Sequence, residues 1–108
     1  MPEENAAAVL TVERVLAHRV LVRARAAEAR GACRRETPVT IVDGDGTLVE
    51  GVVDLAFEED GVWTVVDYKT DRELRTIGEA QYRRQVGLYA SAIAQATGQR
   101  ATGVIIRL

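Results

Sequence analysis

At 108 residues the chain is long enough for one domain with a real core and too short for two. An apolar fraction of 47% fits an ordinary globular domain, and no apolar run approaches the ~18 residues a membrane span needs. A net charge of −2 argues against nucleic-acid binding over a whole basic surface, and one cysteine, Cys33, excludes an internal disulfide and any four-thiolate metal or iron–sulfur site. The acidic start Met1-Pro2-Glu3-Glu4-Asn5 does not read as a signal peptide, so a reducing cytoplasmic location is expected.

In chain order, residues 4–30 read as one long helix, because Val9, Val12, Leu16, Val20, Ala24 and Ala27 recur at spacings of three and four, with Gly31 as a C-terminal cap. Residues 35–42 are β-branched and contain Pro38, which favours an edge strand. Asp43-Gly44-Asp45-Gly46 is turn material. Residues 47–58 alternate as a strand: Val49, Gly51, Val53, Leu55 and Phe57 face one way, and Glu50, Val52, Asp54 and Ala56 the other. A strand over 62–70, a helix over 78–97 ending at Gly98 and an apolar, central strand over 102–108 complete the chain. Helix, three strands, helix, strand implies an α/β fold with a mixed sheet flanked by helices.

Thirteen of the fourteen cationic residues are arginine; the exception is Lys69, in Val65-Val66-Asp67-Tyr68-Lys69-Thr70. Lysine is a compact point charge, arginine a flat fork, and the two are not interchangeable in a site. On a strand, Asp67 and Lys69 project from the same face. Asp60-Gly61 is a strong signal for a two-residue type I′ turn, which pairs Glu59 with Val62 and places Asp54 opposite Asp67. In that register Asp54, Asp67 and Lys69 share one face. Directly opposed like charges destabilise a sheet, so the pair requires a shared proton, a cation from the protein or a metal ion. Mg²⁺ suits such a place, since it binds through one or two carboxylates plus water and phosphate. The competing reading of Asp67 and Lys69 is a surface ion pair. Arg72, Arg75, Arg83 and Arg84 form the local basic cluster, read either as a DNA-backbone track or as a solvated helix face.

The runs Val49-Glu50-Gly51-Val52-Val53-Asp54, Val65-Val66-Asp67-Tyr68-Lys69-Thr70-Asp71 and Gln85-Val86-Gly87-Leu88-Tyr89 resemble the PD-(D/E)XK nuclease superfamily, in particular the RecB/AddA-type nuclease domain that ends bacterial helicase–nucleases. Arg35-Glu36-Thr37-Pro38 and the terminal Gly103-Val104-Ile105-Ile106 run also look like that group, and the resemblance covers roughly residues 16–108. It implies a restriction-endonuclease-like αβββαβ core in a single domain over 1–108. The implied activity is metal-dependent exonuclease hydrolysis of DNA phosphodiesters, on single-stranded or end-bearing duplex substrate. Asp54 and Asp67 would hold Mg²⁺ or Mn²⁺, with the Tyr68 carbonyl as a further ligand, and Lys69 would position the attacking water. Gln85 and Tyr89, one helical turn apart, would line the site and orient Lys69 or the DNA backbone. Glu36 would reach the metal region or pair with Arg34 or Arg84.

Two features depart from the family pattern. Its upstream metal-binding histidine follows a glycine by four residues, whereas His18, the sole histidine, follows Arg14. No phosphate-binding Gly-rich loop with Lys-Ser/Thr is present, so this chain is not expected to hydrolyse ATP, and the resemblance implies a helicase motor in the same or another chain as partner. A catalytically inactive nuclease fold that binds DNA or docks a partner, another Mg²⁺-dependent phosphohydrolase, and a structural α/β domain stand as the alternatives.

Overall fold

The computed structural model describes residues 9–14, 17–42 and 44–107, with side chains from Arg19 onward. The elements are β1 (Val9–Arg14), α1 (Ala17–Ala29), β2 (Cys33–Val42), β3 (Leu48–Glu59), β4 (Val62–Lys69), α2 (Asp71–Ile77), α3 (Glu79–Thr97) and β5 (Arg100–Arg107). The strands form one sheet in the order β1-β5-β4-β3-β2. β2, β3 and β4 are antiparallel neighbours; β5 runs parallel to both β4 and β1. The expected mixed sheet is present, with β2 at an edge as Pro38 requires and β5 in the interior. No helix is long and apolar enough to cross a membrane, among the described residues.

The single helix expected over 4–30 is corrected at its N-terminal half. Residues 9–14 are strand β1, and the helix begins only at Ala17. Val-Leu-Thr-Val is rich in β-branched side chains, and pairing with β5 overrides the coincidental three-and-four spacing of Val9 and Val12. Residues 4–8, 15 and 16 lie outside the described residues. A second addition is α2, which begins where β4 ends. Thr70 is its N-cap, accepting from Glu73 N–H at 3.1 Å while Glu73 Oε1 accepts from Thr70 N–H at 3.1 Å. The Thr-x-x-Glu pattern of this capping box stands in the sequence.

Helices cover both faces of the sheet. On one, Val20, Ala24 and Ala27 of α1 pack against Leu55, Phe57, Val66, Val104 and Ile106. On the other, Ala90, Ile93 and Ala94 of α3 pack against Val53, Ala56, Val65 and Ala101. Leu74 and Tyr82 join Val86 and Ile105 in a smaller cluster where α2 meets α3. Each fully buried Leu, Val, Ile or Phe among these contributes about 1.5–3 kcal/mol relative to exposure. They include Phe57 and Leu55, both 0% exposed.

The turn and register of β3 and β4 follow the Asp-Gly signal. Asp60 and Gly61 both have positive φ (50° and 81°), as a type I′ turn demands, and Glu59 pairs with Val62 through to Leu55 with Val66. The expected alternation along β3 fails at one point. Val53 packs on the α3 side but Leu55 and Phe57 on the α1 side, so the strand changes face between Val53 and Leu55. The same step breaks the β2–β3 ladder: Arg35–Leu55 and Thr37–Val53 pair, and Glu36–Asp54 between them is skipped, with Glu36 at φ 46°. A left-handed residue in one strand twists it locally and re-aims the side chains beyond it. Asp54 sits at that switch.

Beyond the switch, the Tyr89 ring lies against Gly51 of β3. A Cβ added at Gly51 would stand 2.7 Å from both the phenol oxygen and Cε1 of Tyr89. Gly51→Ala is expected to lower stability by about 1–3 kcal/mol through overpacking. In a Tyr89→Ala background the same change should instead be neutral or stabilising, since alanine loses less backbone entropy than glycine. A denaturant-midpoint cycle over the four proteins measures the coupling.

Candidate active site

Beyond Leu55–Val66 the two central strands cease to pair, and the Tyr68 N–H donates instead to Asp54 Oδ2 at 3.2 Å. That bond is made from the face switch, and the Asp54 carboxylate is near enough to Asp67 to raise its pKa. Asp67 is buried, with 4% exposure. Its Oδ2 lies 3.2 Å from Lys69 Nζ, yet no donor meets that oxygen in hydrogen-bond geometry. A buried carboxylate oxygen so poorly satisfied is costly, and a site poised for a cation is one explanation of it.

The electrostatics follow from this crowding. Burial, then the neighbouring Asp54, push the Asp67 carboxyl up to about 6 against the opposing pull of Lys69. For Lys69, burial acts to lower the pKa, but Asp67, Tyr82 and Glu73 together outweigh it and the net shift is upward. Lys69 therefore carries its proton at neutral pH. Its ammonium has Asp67 at 3.2 Å, Glu73 Oε2 at 4.0 Å and the face of the Tyr82 ring at 4.5 Å. With its side chain 16% exposed, the surface ion pair reading does not describe it.

Tyr89, half-buried on Gly51, belongs to the same cluster. Burial first, then the Asp67 charge, raise its hydroxyl above the usual tyrosine value, with Lys69 opposing. Gln85 is half-buried one turn earlier on α3. Glu36 stands across β3 from Asp54 in register but is exposed, and among the described residues it pairs with neither Arg34 nor Arg84. His18 is in the first turn of α1, and its side chain lies outside the described residues. Arg72, Arg75 and Arg84 are exposed on α2 and α3, while Arg83 is ion-paired to Glu79 at 3.1 Å. Tyr82 is the site residue that sequence reasoning missed. Its helical spacing reads as core, and only the fold puts its ring under Lys69.

The donor set suits a hard divalent cation of the Mg²⁺ kind: two neighbouring carboxylates, which would leave the remaining positions to water and a phosphate. No group of three or more His, Cys, Asp or Glu side chains is assembled among the described residues.

A mixed sheet between helices, with an acid pair and an Asp-x-Lys lysine where two adjacent strands part, defines a restriction-endonuclease-like fold. Comparison with known proteins agrees. The sequence profile of the PD-(D/E)XK nuclease superfamily matches residues 2–108, and the chain belongs to that superfamily. Its similar proteins include an ATP-dependent helicase/nuclease subunit of Lysinibacillus sphaericus (strain C3-41), 38% identical over 74 residues, covering 56% of this chain and 6% of that protein. The same-named protein of Clostridioides difficile (strain 630) is 38% identical over 63 residues, covering 55% and 5%. That of Anoxybacillus flavithermus (strain DSM 21510 / WK1) is 29% identical over 98 residues, covering 83% and 8%. The chain thus spans less than a tenth of the length of these relatives. No solved structure matches it.

The raised Asp67 pKa has a definite linkage sign. A carboxyl with a higher pKa folded than unfolded favours the native state fully below the unfolded value of 3.8, and this contribution is lost as pH rises through about 6. Asp45 and Glu73, both held low by bonds to Thr47 and Thr70, act in the opposite sense only below 3.8 and 4.5. Metal-free wild type should therefore lose stability between pH 5 and pH 7, whereas Asp67→Asn should be flatter over that range and more stable than wild type at pH 7. Urea midpoints at a series of pH values, in the presence of chelator, measure both.

Proposed function

We propose that this chain is the nuclease domain of a RecB/AddA-type helicase–nuclease and hydrolyses DNA phosphodiester bonds with Mg²⁺ or Mn²⁺. The observation that carries the reading is the buried Asp67 carboxylate, set between Asp54 and the ammonium of the lone lysine in a chain of this superfamily. The similar proteins are named as helicase/nuclease subunits, which supports a DNA substrate and a motor elsewhere in the same or another chain.

Asp54 and Asp67 would hold the metal, with the Tyr68 carbonyl as a further ligand. A bound divalent ion supplies charge neutralisation at phosphate and a lowered pKa for water. Asp67, held up near 6 without metal, must ionise to serve as a ligand, and a bound cation would favour that ionised form. Lys69 stays protonated, so it acts as a donor and positive charge toward the phosphate and the incoming water, not as the base. Tyr89, its hydroxyl kept protonated, and Gln85 line the side of the site from α3 and orient Lys69 or the DNA backbone. The exposed Arg72, Arg75 and Arg84 of α2 and α3 would meet the phosphates of a DNA strand, while Arg83 is ion-paired to Glu79.

One observation favours a second reading, a nuclease fold that binds DNA or docks a partner without cleaving. Among the described residues no third acidic or imidazole side chain joins Asp54 and Asp67. The two readings divide on Lys69→Arg. In an enzyme, the bulkier fork cannot take the place of a point charge, and cleavage should fall by a factor of about a hundred or more. Folding should survive, and so should the rise in melting temperature that Mn²⁺ gives by binding the native state. Cleavage of labelled single-stranded DNA, with Mn²⁺-dependent melting of wild type, Asp54→Asn and Lys69→Arg, is the measurement. An active wild type matched by an equally active arginine variant, or a melting temperature indifferent to millimolar Mn²⁺, would sink the reading.

The arginine track has its own test. Affinity for single-stranded DNA should fall with salt, and Arg75→Ala/Arg84→Ala should both weaken binding and flatten the slope by roughly one to two counterions. Unchanged affinity and slope in fluorescence-anisotropy titrations would return these residues to an ordinary solvated face.

A further inference from the structure

Lysine has a flexible four-carbon stem, so a lysine that must place one charge accurately needs restraint from outside itself. Two of the three groups around the Lys69 ammonium are carboxylates, Asp67 on its own strand and Glu73 in the first turn of α2. Asp67 is also a candidate metal ligand, and a carboxylate shared with a divalent cation attracts an ammonium less. Glu73 is 4.0 Å away, has a side chain 46% exposed, and already accepts the Thr70 N–H. The third group differs in kind. Tyr82 is 8% exposed and fixed among Leu74, Val86 and Ile105, and its ring face lies 4.5 Å from Nζ. A neutral aromatic face attracts a cation through its quadrupole and does not depend on the ionisation of either carboxylate.

We infer that Tyr82 is a positioning residue for the proposed nuclease reaction: its buried ring is the platform that holds the Lys69 ammonium beside the Asp54–Asp67 pair. The inference rests on the nuclease reading for its consequence, but the contact stands independently of it. The ring face carries the interaction, so phenylalanine should serve in place of tyrosine. Methionine should not, although it fills similar apolar space and suits a core position. A residue that only packs would tolerate either change.

The single lysine makes the test direct, because its ε-methylene protons are the only ones of their kind in the chain. In the wild type those protons should resonate upfield of a free lysine, through the Tyr82 ring current, and show nuclear Overhauser contacts to the Tyr82 ring. Tyr82→Phe should keep the shift and the cleavage rate. Tyr82→Met should move the resonance toward the free-lysine position and lower kcat about tenfold or more, as a misplaced catalytic group does. KM should stay within about twofold, the signature of an interaction expressed in the transition state. Mn²⁺ affinity should be unaltered, because neither carboxylate is touched. A folded Tyr82→Met protein with the wild-type kcat would overturn the inference. So would a wild-type lysine signal without the shift or the ring contacts, which keeps the idea open to refutation even if the methionine variant fails to fold. A shifted lysine in a wild type that cleaves no DNA with either metal would uphold the contact and reject the nuclease reading.

Discussion

The site depends on a buried carboxylate that the protein meets with one ammonium and no well-aligned hydrogen bond. Asp67 lies in the middle of the sheet assembly at 4% exposure, with one oxygen lacking a hydrogen-bond donor and a second carboxylate beside it. Burial of that kind costs free energy in a metal-free chain, and the surrounding structure is arranged to bear the cost. Lys69 offsets part of the charge, and the raised pKa of Asp67, about 6, lets a proton offset it at lower pH. The local bonds that define the site, such as Tyr68 N–H to Asp54, are the ones that keep two like charges together against their repulsion. Strain held at one place and supported by a packed scaffold around it is a common way for a fold to carry a reactive centre.

The scaffold meets this demand by separating tasks between the two faces of the sheet. The α1 face is mainly apolar packing, with Leu55, Phe57, Val66 and Ile106 fully buried and Thr64 and the Arg23 guanidinium adding polar groups. The α3 face is apolar near Ala94 and Ala101 and becomes polar toward Asp67 and Lys69, where α2 begins. β3 takes part in both because it changes face at Asp54. Without that switch, strict alternation would put Val53 and Gly51 on the α1 side, away from α3, and Tyr89 would have no glycine to lie against. The irregular step in β2 and β3 is therefore what lets one helix supply both core residues and site residues.

Much of this was legible in the sequence, and the parts that were not share a physical cause. The Asp60-Gly61 turn fixed the register of β3 on β4 because a two-residue type I′ turn leaves no freedom in pairing, and that register identified Asp54 and Asp67 as neighbours. Gly98 and Pro38 likewise marked a helix end and an edge strand through their own backbone chemistry. Strand β1 was hidden because its partner, β5, is about ninety residues away in the chain, and local spacing could not announce a non-local pairing. The change of face at Asp54 was hidden too, since the left-handed residue responsible, Glu36, is not a glycine and carries no signature of positive φ. The α2 capping box was present as Thr70-Asp71-Arg72-Glu73 and could have been found by pattern alone.

Tyr82 illustrates why a site and a core are not separate categories in a small domain. In sequence it is one more apolar position on α3, three residues before Gln85 and seven before Tyr89. In the fold, Tyr82 is clustered with Leu74, Val86 and Ile105, and its ring meets Lys69 with its face. The packing is what makes the ring immobile, and an immobile ring is what makes a weak cation–aromatic attraction useful for placement. The capping box adds a weaker restraint, because the bond that anchors Glu73 to Thr70 also keeps a half-exposed carboxylate 4.0 Å from Nζ. Lys69 is the last residue of β4, so its backbone is held by the pairing of Lys69 with Arg107 on β5 while its ammonium is held by α2 and α3. A flexible side chain is thus restrained at both ends by elements that would have to form for stability alone.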